Sequence, residues 1–346
     1  MEDDTNTFHW RSAAELNPRG RGWEGEEREN FWDRFPLELK GKIDEPLWNL
    51  GTESAGIYVD FRTDAREIRV RWDMAERWAF GAYETGCGIS GFDLYGRDAR
   101  RSWRWAGSFF SGNPCQGEGT LTRLPLDGVE REYRLYFPLR RRVFSVEVGA
   151  DAEVAPVQPD PRPPLAYYGT SIVHGAGVGR PGITHAAQLG RALDREILNL
   201  GVCGRAKCEP PLVEALARLN PDLYLIDVLP NNSAAEVSER VPKLLQILRN
   251  RHRDIPILLL GDRVYGDAAF MPGRAVDFAR KNEALTRAVD EAKEAGLEPL
   301  HLLIADDWYG EDGEGTTDAS HPNDLGAFRM AAQLIPRVKA LSATPG

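Results

Sequence analysis

The chain has 346 residues, of which 42% are hydrophobic and 28% are charged, a balance typical of a folded globular protein rather than a disordered or fibrous one. A formal net charge of −10 disfavours a nucleic-acid partner, because the basic run Arg140 to Arg142 is short and we interpret it as a solvated strand edge. The acidic amino terminus lacks the apolar stretch of a secretion signal and no segment approaches the roughly 18 apolar residues of a membrane helix, so we expect a cytoplasmic protein without a membrane partner.

Alternating apolar and polar residues dominate the first half of the chain beyond about residue 53. This period of two is typical of half-buried β-strands. It occurs at residues 57–61, 68–72, 133–137 and 144–148. Turn residues such as Asp127-Gly128 separate these segments, and no helical pattern interrupts them. The pattern predicts an antiparallel β-sandwich domain over residues 1–154.

A proline-rich segment, APVQPDPRPP at residues 155–164, follows the predicted sandwich. Such a segment is extended and fairly stiff, so we place the domain boundary there. Beyond it, over residues 165–346, short apolar runs alternate with helical patterns. The runs are residues 165–168, 197–200, 223–229, 255–260 and 300–304. This alternation predicts an α/β domain with a parallel sheet of about five strands, helices on both faces and a ligand crevice at the carboxyl ends of the strands.

One serine stands where the first of these strands gives way to a turn. The segment Tyr167 to Gly175 reads YYGTSIVHG and places Ser171 just after the apolar run. A serine hydroxyl is a poor nucleophile alone, so a catalytic role requires a base, a group that orients the base, and donors for an oxyanion. An α/β-hydrolase would require a G-x-S-x-G elbow, which Val173 rules out at this position.

Two later strands end in residues suited to hold an oxyanion. Gly204, in NLGVCG, would let a backbone N–H approach a ligand closely, although a glycine also serves an ordinary tight turn. Asn231, in LPNN, would donate a side-chain N–H, although asparagine after a strand is also a common turn former.

The segment DASHPN opens the last amphipathic helix. Asp318 stands three residues before His321, so its carboxylate would reach the imidazole and hold the tautomer that accepts the serine proton. The same residues would also cap the helix, with Pro322 near its first position. The two roles are compatible.

Other polar residues near these segments have weaker claims to a role in catalysis. The four cysteines show no CxxC spacing, and we expect reduced thiols; Cys203 and Cys208 are disfavoured as nucleophiles because the serine constellation is complete without them. Asp227 lies inside an apolar run, where an unpaired carboxylate would be costly, so we expect a hydrogen-bonded structural role.

The candidates for lining a substrate pocket are His174, three residues after Ser171, and the pair Trp308 and Tyr309. The latter two belong to the acidic loop 306–318, which we expect to lie over the rim of the site. This loop lacks the register of an EF-hand, and residues 175–179, GAGVG, lack the dinucleotide spacing. We therefore expect no metal and no cofactor.

Together the four blocks resemble the SGNH, or GDSL-type, hydrolases, whose Ser, Gly, Asn and His blocks occur in this order on a flavodoxin-like α/β domain. Thr170 stands where the GDSL name has aspartate, and Cys203 stands where serine is usual. The resemblance implies that Ser171 is the nucleophile, that His321 is the base and that Asp318 orients it. It also implies that Gly204 and Asn231, with the Ser171 backbone N–H, form the oxyanion hole.

The resemblance extends upstream, where Gly91 to Tyr95, GFDLY, is similar to the GxDLY signature of an amino-terminal β-sandwich found in a subset of these enzymes. The signature marks the domain, so we leave Asp93 out of the site and expect a satisfied acid in a core strand. The shape of such a domain is shared with carbohydrate-binding modules and jelly rolls.

The residues and the resemblance together favour a serine esterase. The resemblance and the amino-terminal sandwich further imply a short-chain acyl ester, such as an acetyl ester, of a carbohydrate or small metabolite. The alternative is an acyltransferase that passes the same acyl group to a small-molecule alcohol. A binding protein with an inactive catalytic half is a third reading, disfavoured because all the expected catalytic residues are present.

Overall fold

A computed structural model describes residues 8–76, 81–110, 112, 114–122, 125–305 and 307–342. Its first half is built mainly from β-strands. The elements are β1 (His9–Ser12), α1 (Glu45–Thr52), β2 (Tyr58–Thr63), β3 (Ile68–Met74), α2 (Gly86–Ser90), β4 (Phe92–Arg97), β5 (Trp103–Phe109), β6 (Gln116–Thr120), β7 (Arg131–Tyr136), β8 (Val143–Ala150) and β9 (Ala155–Pro156).

These strands form two antiparallel sheets packed face to face. One sheet has the order β1-β8-β3-β6 and the other the order β5-β4-β7-β2-β9. The registers pair Val70 with Val148 in the first sheet and Val59 with Leu135 in the second. These side chains meet in one buried cluster, since alternate residues of each strand point to the same face. The predicted β-sandwich is confirmed.

Two features of this half differ from the prediction. Helices α1 and α2 interrupt the strands. Asp44 caps the start of α1, because its side chain accepts a hydrogen bond from the Leu47 N–H. The run Arg140 to Arg142 is not a solvated edge, because Arg140 and Arg141 are buried and Arg142 pairs with Asp33. Basic side chains that are buried need such partners, which the sequence of the run alone does not reveal.

The second half alternates strands and helices. The elements are β10 (Leu165–Gly169), α3 (Ser171–His174), α4 (His185–Leu193), β11 (Ile197–Gly201), α5 (Pro210–Leu216), β12 (Leu223–Asp227), α6 (Ala234–Arg251), β13 (Ile257–Leu260), α7 (Pro272–Glu294), β14 (Leu300–Leu303) and α8 (Asp324–Ser342).

The five strands form one parallel sheet in the order β11-β10-β12-β13-β14, a doubly wound order of the flavodoxin type. Helices α5, α6 and α7 cover one face, and α3, α4 and α8 cover the other. Coverage on both faces explains why the strands are continuous apolar runs rather than alternating ones. Asp227, at the end of β12, is fully buried and pairs with Arg263, which confirms its structural role. None of the helices in the described ranges is long and apolar enough to cross a membrane.

The two halves share contacts outside the proline-rich segment. Trp23, Phe35 and Trp48 from the first 53 residues pack in the core of the α/β half, and the Trp23 indole N–H donates to the Ala215 carbonyl at 2.8 Å. The proline-rich segment itself begins as strand β9, paired with β2. The domain boundaries drawn from the sequence stay a prediction, but the amino-terminal segment is built into the α/β core.

Asp93 of the GFDLY segment also joins the two halves. It lies on β4 with no exposed surface, and it accepts hydrogen bonds from the Trp105 indole at 3.0 Å, from Arg180 at 2.7 Å and from the Gly182 N–H at 2.8 Å. Arg180 and Gly182 belong to the α/β half. The acid is therefore satisfied, as expected, and it ties the sandwich to the loop that follows α3.

Candidate active site

Ser171 stands at the carboxyl end of strand β10, between β11 and β12, where the chain turns into α3. Thr170 caps this helix, because its hydroxyl accepts from the Ile172 N–H at 3.4 Å. Gly169 is needed for the turn, since a Cβ there would lie 2.5 Å from the Val173 side chain and 2.8 Å from the Asp227 carbonyl oxygen. As the first residue of α3, Ser171 has a backbone N–H without an acceptor inside the helix.

The loop before α8 brings His321 and Asp318 to this serine. His321 Nε2 lies 2.8 Å from Ser171 Oγ, and His321 Nδ1 lies 2.8 Å from Asp318 Oδ2. Asp318 also accepts from the backbone N–H of His321 at 2.8 Å and from that of Ser320 at 3.1 Å. The aspartate thus fixes both the loop and the imidazole, and Nδ1 donates to it while Nε2 faces the serine.

The carboxyl group of Asp318 is held in its ionised form. Burial alone would raise its pKa, but hydrogen bonds from the backbone and imidazole of His321, together with the imidazole's charge, outweigh that effect and lower the pKa below its ordinary value. An ionised carboxylate at this position would stabilise an imidazolium if the imidazole took up a proton.

Gly204 and Asn231 lie at the ends of the two strands that flank β10. Gly204 has φ +68°, a backbone conformation that favours glycine, and no atom stands within 4 Å of where its Cβ would be. Asn231 Nδ2 donates to the Arg205 carbonyl at 2.8 Å, so the asparagine is held against the loop that carries Gly204. The Val202 N–H in turn donates to the Gly169 carbonyl at 2.9 Å, which docks this loop beside the serine turn.

The sandwich contributes residues to the same site, and sequence reasoning missed them. The ring of Tyr83 stacks on the His321 imidazole, with centroids 4.1 Å apart and planes inclined by 23°. Arg140 lies 2.7 Å from the Sγ of Cys203, next to Gly204, and pairs with Glu53 and Glu84. No local pattern marks Tyr83, whereas the basic run at Arg140 was a visible signal that we attributed to solvent exposure.

Residues 162–339 match the GDSL-like lipase/acylhydrolase family, and residues 8–155 match the amino terminus of SGNH-hydrolase-type esterases, the domain with the GxDLY signature. The chain belongs to this family. It is therefore a carboxylic ester hydrolase by family, with the β-sandwich as its amino-terminal domain. No curated protein matches the chain significantly.

Solved structures share the whole two-domain arrangement. A Bacteroides ovatus protein assigned as a GDSL-like lipase is 28% identical with a TM-score of 0.90, over 97% of this chain and 98% of that one. A salicylyl-acyltransferase from a tetracycline biosynthetic pathway is 18% identical with a TM-score of 0.76, over 98% of each chain. A family two carbohydrate esterase from Cellvibrio japonicus is 12% identical with a TM-score of 0.59, over 97% and 98%. The last two likenesses concern the fold alone.

The three candidates for the substrate pocket are not open to a ligand, and that prediction is wrong. His174 has no exposed surface, and its Nε2 faces the Leu139 carbonyl at 3.1 Å and Glu53 at 3.1 Å. Burial, and then the charge of Arg34, lower the pKa of His174 to about 3, so it is a neutral core residue. His174 is buried because the sandwich packs against α3 at this residue.

Trp308 and Tyr309 are buried as well, with 0% and 4% of their surface exposed. Both pack in the core beneath α3, α4 and α8. The Tyr309 hydroxyl donates to the Ser320 carbonyl at 2.9 Å, so this tyrosine supports the loop that carries Asp318 and His321 rather than lining a pocket. The apolar character of the two side chains outweighs the acidity of their loop.

The described residues contain no group of three His, Cys, Asp or Glu side chains placed to hold a metal ion. Asp306 of the acidic loop lies outside the described residues. None of the four cysteines, all of which lie in the described ranges, forms a disulfide bond.

Proposed function

We propose that the enzyme hydrolyses a short-chain acyl ester of a carbohydrate or small metabolite through an acyl-enzyme on Ser171. One observation carries this proposal: the continuous contact from Ser171 Oγ to His321 Nε2 and from His321 Nδ1 to Asp318 Oδ2, each 2.8 Å long. This is the arrangement in which an imidazole acts as general base toward a serine while a carboxylate orients it.

In the first half of the reaction, His321 Nε2 takes the proton of Ser171 Oγ as the oxygen attacks the ester carbonyl carbon. The carbonyl oxygen becomes an oxyanion, and the backbone N–H groups of Ser171 and Gly204 and the amide N–H of Asn231 would donate to it. Collapse of this intermediate breaks the bond to the alcohol oxygen, which leaves with the proton from His321. An acyl group then remains on Ser171.

In the second half, water replaces the alcohol. His321 accepts a proton from the water as its oxygen attacks the acyl carbon, and the same donors hold the second oxyanion. Release of the carboxylic acid returns the proton to Ser171. Asp318 remains ionised throughout, in keeping with its lowered pKa.

The carbohydrate or metabolite portion of the substrate rests on weaker support. The sandwich shares its shape class with carbohydrate-binding modules, and carbohydrate esterases of similar fold span both domains. An acyltransferase is the second candidate, since the salicylyl-acyltransferase has the same two-domain arrangement with a TM-score of 0.76. In that reaction an alcohol, instead of water, attacks the acyl group on Ser171.

The test of the nucleophile is Ser171→Ala, assayed with p-nitrophenyl acetate and with a fluorophosphonate that labels reactive serines. We expect turnover to fall by about 10³- to 10⁶-fold and labelling to disappear, because the other groups retain only residual catalysis. Ser342→Ala, at the end of α8, should behave as wild type. Activity that survives in Ser171→Ala would refute the assignment, and a wild type that binds sugars but is neither labelled nor active would be a binding protein.

Hydrolysis and transfer are separated by product analysis. With an activated acetyl ester and a series of sugars or small alcohols as acceptors, an esterase should release mainly acetate at every acceptor concentration. Formation of an acylated alcohol that outcompetes acetate release would replace the esterase proposal with the acyltransferase one.

A further inference from the structure

The stack of Tyr83 on His321 brings a residue of the sandwich against the proposed base. Tyr83 lies in the turn before α2, and its ring is nearly parallel to the imidazole at a centroid distance of 4.1 Å. Along the edge of the imidazole, Nδ1 contacts Asp318 and Nε2 contacts Ser171. Tyr83 therefore covers a face of the imidazole that neither of those partners contacts.

The turn that carries Tyr83 is anchored to both halves of the molecule. Glu84 accepts from the buried Arg140 at 2.8 Å and from the Gly81 N–H at 2.7 Å. Thr85 caps α2 and its hydroxyl donates to the Val178 carbonyl, in the α/β half, at 2.7 Å. Because the residues next to Tyr83 are hydrogen-bonded to both domains, they fix the position of the ring against His321.

We propose that Tyr83 is a positioning residue for the reaction, holding the His321 imidazole in line with Ser171 and stabilising the imidazolium through its ring. The inference rests on the proposed function, since in that reaction the imidazole becomes a cation when it accepts the serine proton. An aromatic face attracts a cation stacked on it, and the attraction increases when the site excludes water. The sandwich is then part of the catalytic unit.

The test uses the full chain and compares Tyr83→Ala with Tyr83→Phe. Removing the ring should lower kcat about 2- to 30-fold with p-nitrophenyl acetate, the range expected from loss of one cation–π contact, and leave KM within about 2-fold. Tyr83→Phe keeps the ring and loses only the hydroxyl, so it should restore kcat to near the wild-type value. The matched control is Phe144→Ala, which should behave as wild type. Phe144 is an exposed aromatic residue on strand β8 of the sandwich.

A second measurement reports the stack directly. The Hε1 proton of His321, followed by NMR, should move in Tyr83→Ala and stay in place in Tyr83→Phe, because only the former removes the ring current. Unchanged kcat in Tyr83→Ala, an effect confined to KM, or an equal loss in Tyr83→Phe would overturn the proposal. Failure of the serine mechanism is seen separately, as Ser171→Ala activity equal to wild type.

Discussion

At the scale of single residues, the contacts among Ser171, His321 and Asp318 could be predicted from the sequence, whereas the packing of other residues around them could not. Asp318 and His321 are three residues apart, so their contact is local, and Ser171 follows a recognisable strand. Tyr83 and His174 depend on how the sandwich packs on the α/β half. Neither the stack on His321 nor the burial of His174 leaves a trace in the local sequence pattern, because both arise from contacts between distant segments.

Asn231 tests the placement of the oxyanion hole. Asn231→Ala should lower kcat about 10²- to 10³-fold, as expected for loss of one oxyanion donor, with little change in stability. Asn231→Asp keeps the size of the side chain but offers no N–H donor, so it should lose at least as much. Steady-state kinetics on both variants, with thermal melting as the control for folding, checks this. A rate near wild type in either variant would mean that the hole lies elsewhere.

At the scale of elements, the parallel strands were predictable because each is a short, mainly apolar run bounded by turn residues; β10 to β13 are fully buried and β14, at the edge of the sheet, is partly buried. Helices α1 and α2 were not. Helix α2 has five residues, too few to show a period, and α1 turns its apolar side chains toward the other domain's core. A prediction from periodicity assumes that a segment packs within its own domain, whereas helix α1 packs against the α/β half.

Arg34, in the segment before α1, holds the end of strand β11. It is fully buried, and its guanidinium donates to the carbonyls of Asn199 at 2.7 Å, Gly201 at 3.0 Å, Glu53 at 2.7 Å and Leu50 at 2.6 Å. Burial lowers the pKa of Arg34 to about 10, so it stays charged at neutral pH. These contacts set the position of the strand just before Gly204.

Replacing this side chain should therefore destabilise the fold. Arg34→Met leaves several buried carbonyls without donors, and we expect the free energy of unfolding to fall by about 3 kcal/mol or more, measured by urea denaturation. Arg218→Met removes a partly exposed pair with Glu26 and Glu38, and it should cost less than about 1 kcal/mol. Equal losses in the two variants would contradict the role given to Arg34.

At the scale of the whole molecule, the proline-rich segment suggested two domains separated by a stiff linker, but segments of the first half pack against the second half. Residues near Trp23 and Trp48 complete the α/β core, and the sandwich supplies Tyr83 and Arg140 to the site. The order of domains along the chain was predictable from composition and period. The contacts between the two domains were not predictable, because they join segments that are far apart in sequence.

Substitution of Asp93 tests how strongly the two halves stabilise each other. From a fully buried position on the sandwich, this residue accepts hydrogen bonds from Arg180 and Gly182 of the α/β half. Asp93→Ala leaves the Arg180 guanidinium and two N–H donors without their acceptor, so we expect a loss of about 3–5 kcal/mol in the free energy of unfolding. Arg180→Ala alone should cost a similar amount, and the double variant should cost less than the sum, since one interaction is removed twice. Additive losses would show that the two residues act independently.

If the two halves form one cooperative unit, tryptophan fluorescence and far-UV circular dichroism should report the same urea midpoint in the wild type. Both methods should also agree on a midpoint at lower urea concentration in Asp93→Ala. Two separated transitions in the wild type would instead show that the sandwich and the α/β half unfold as independent bodies.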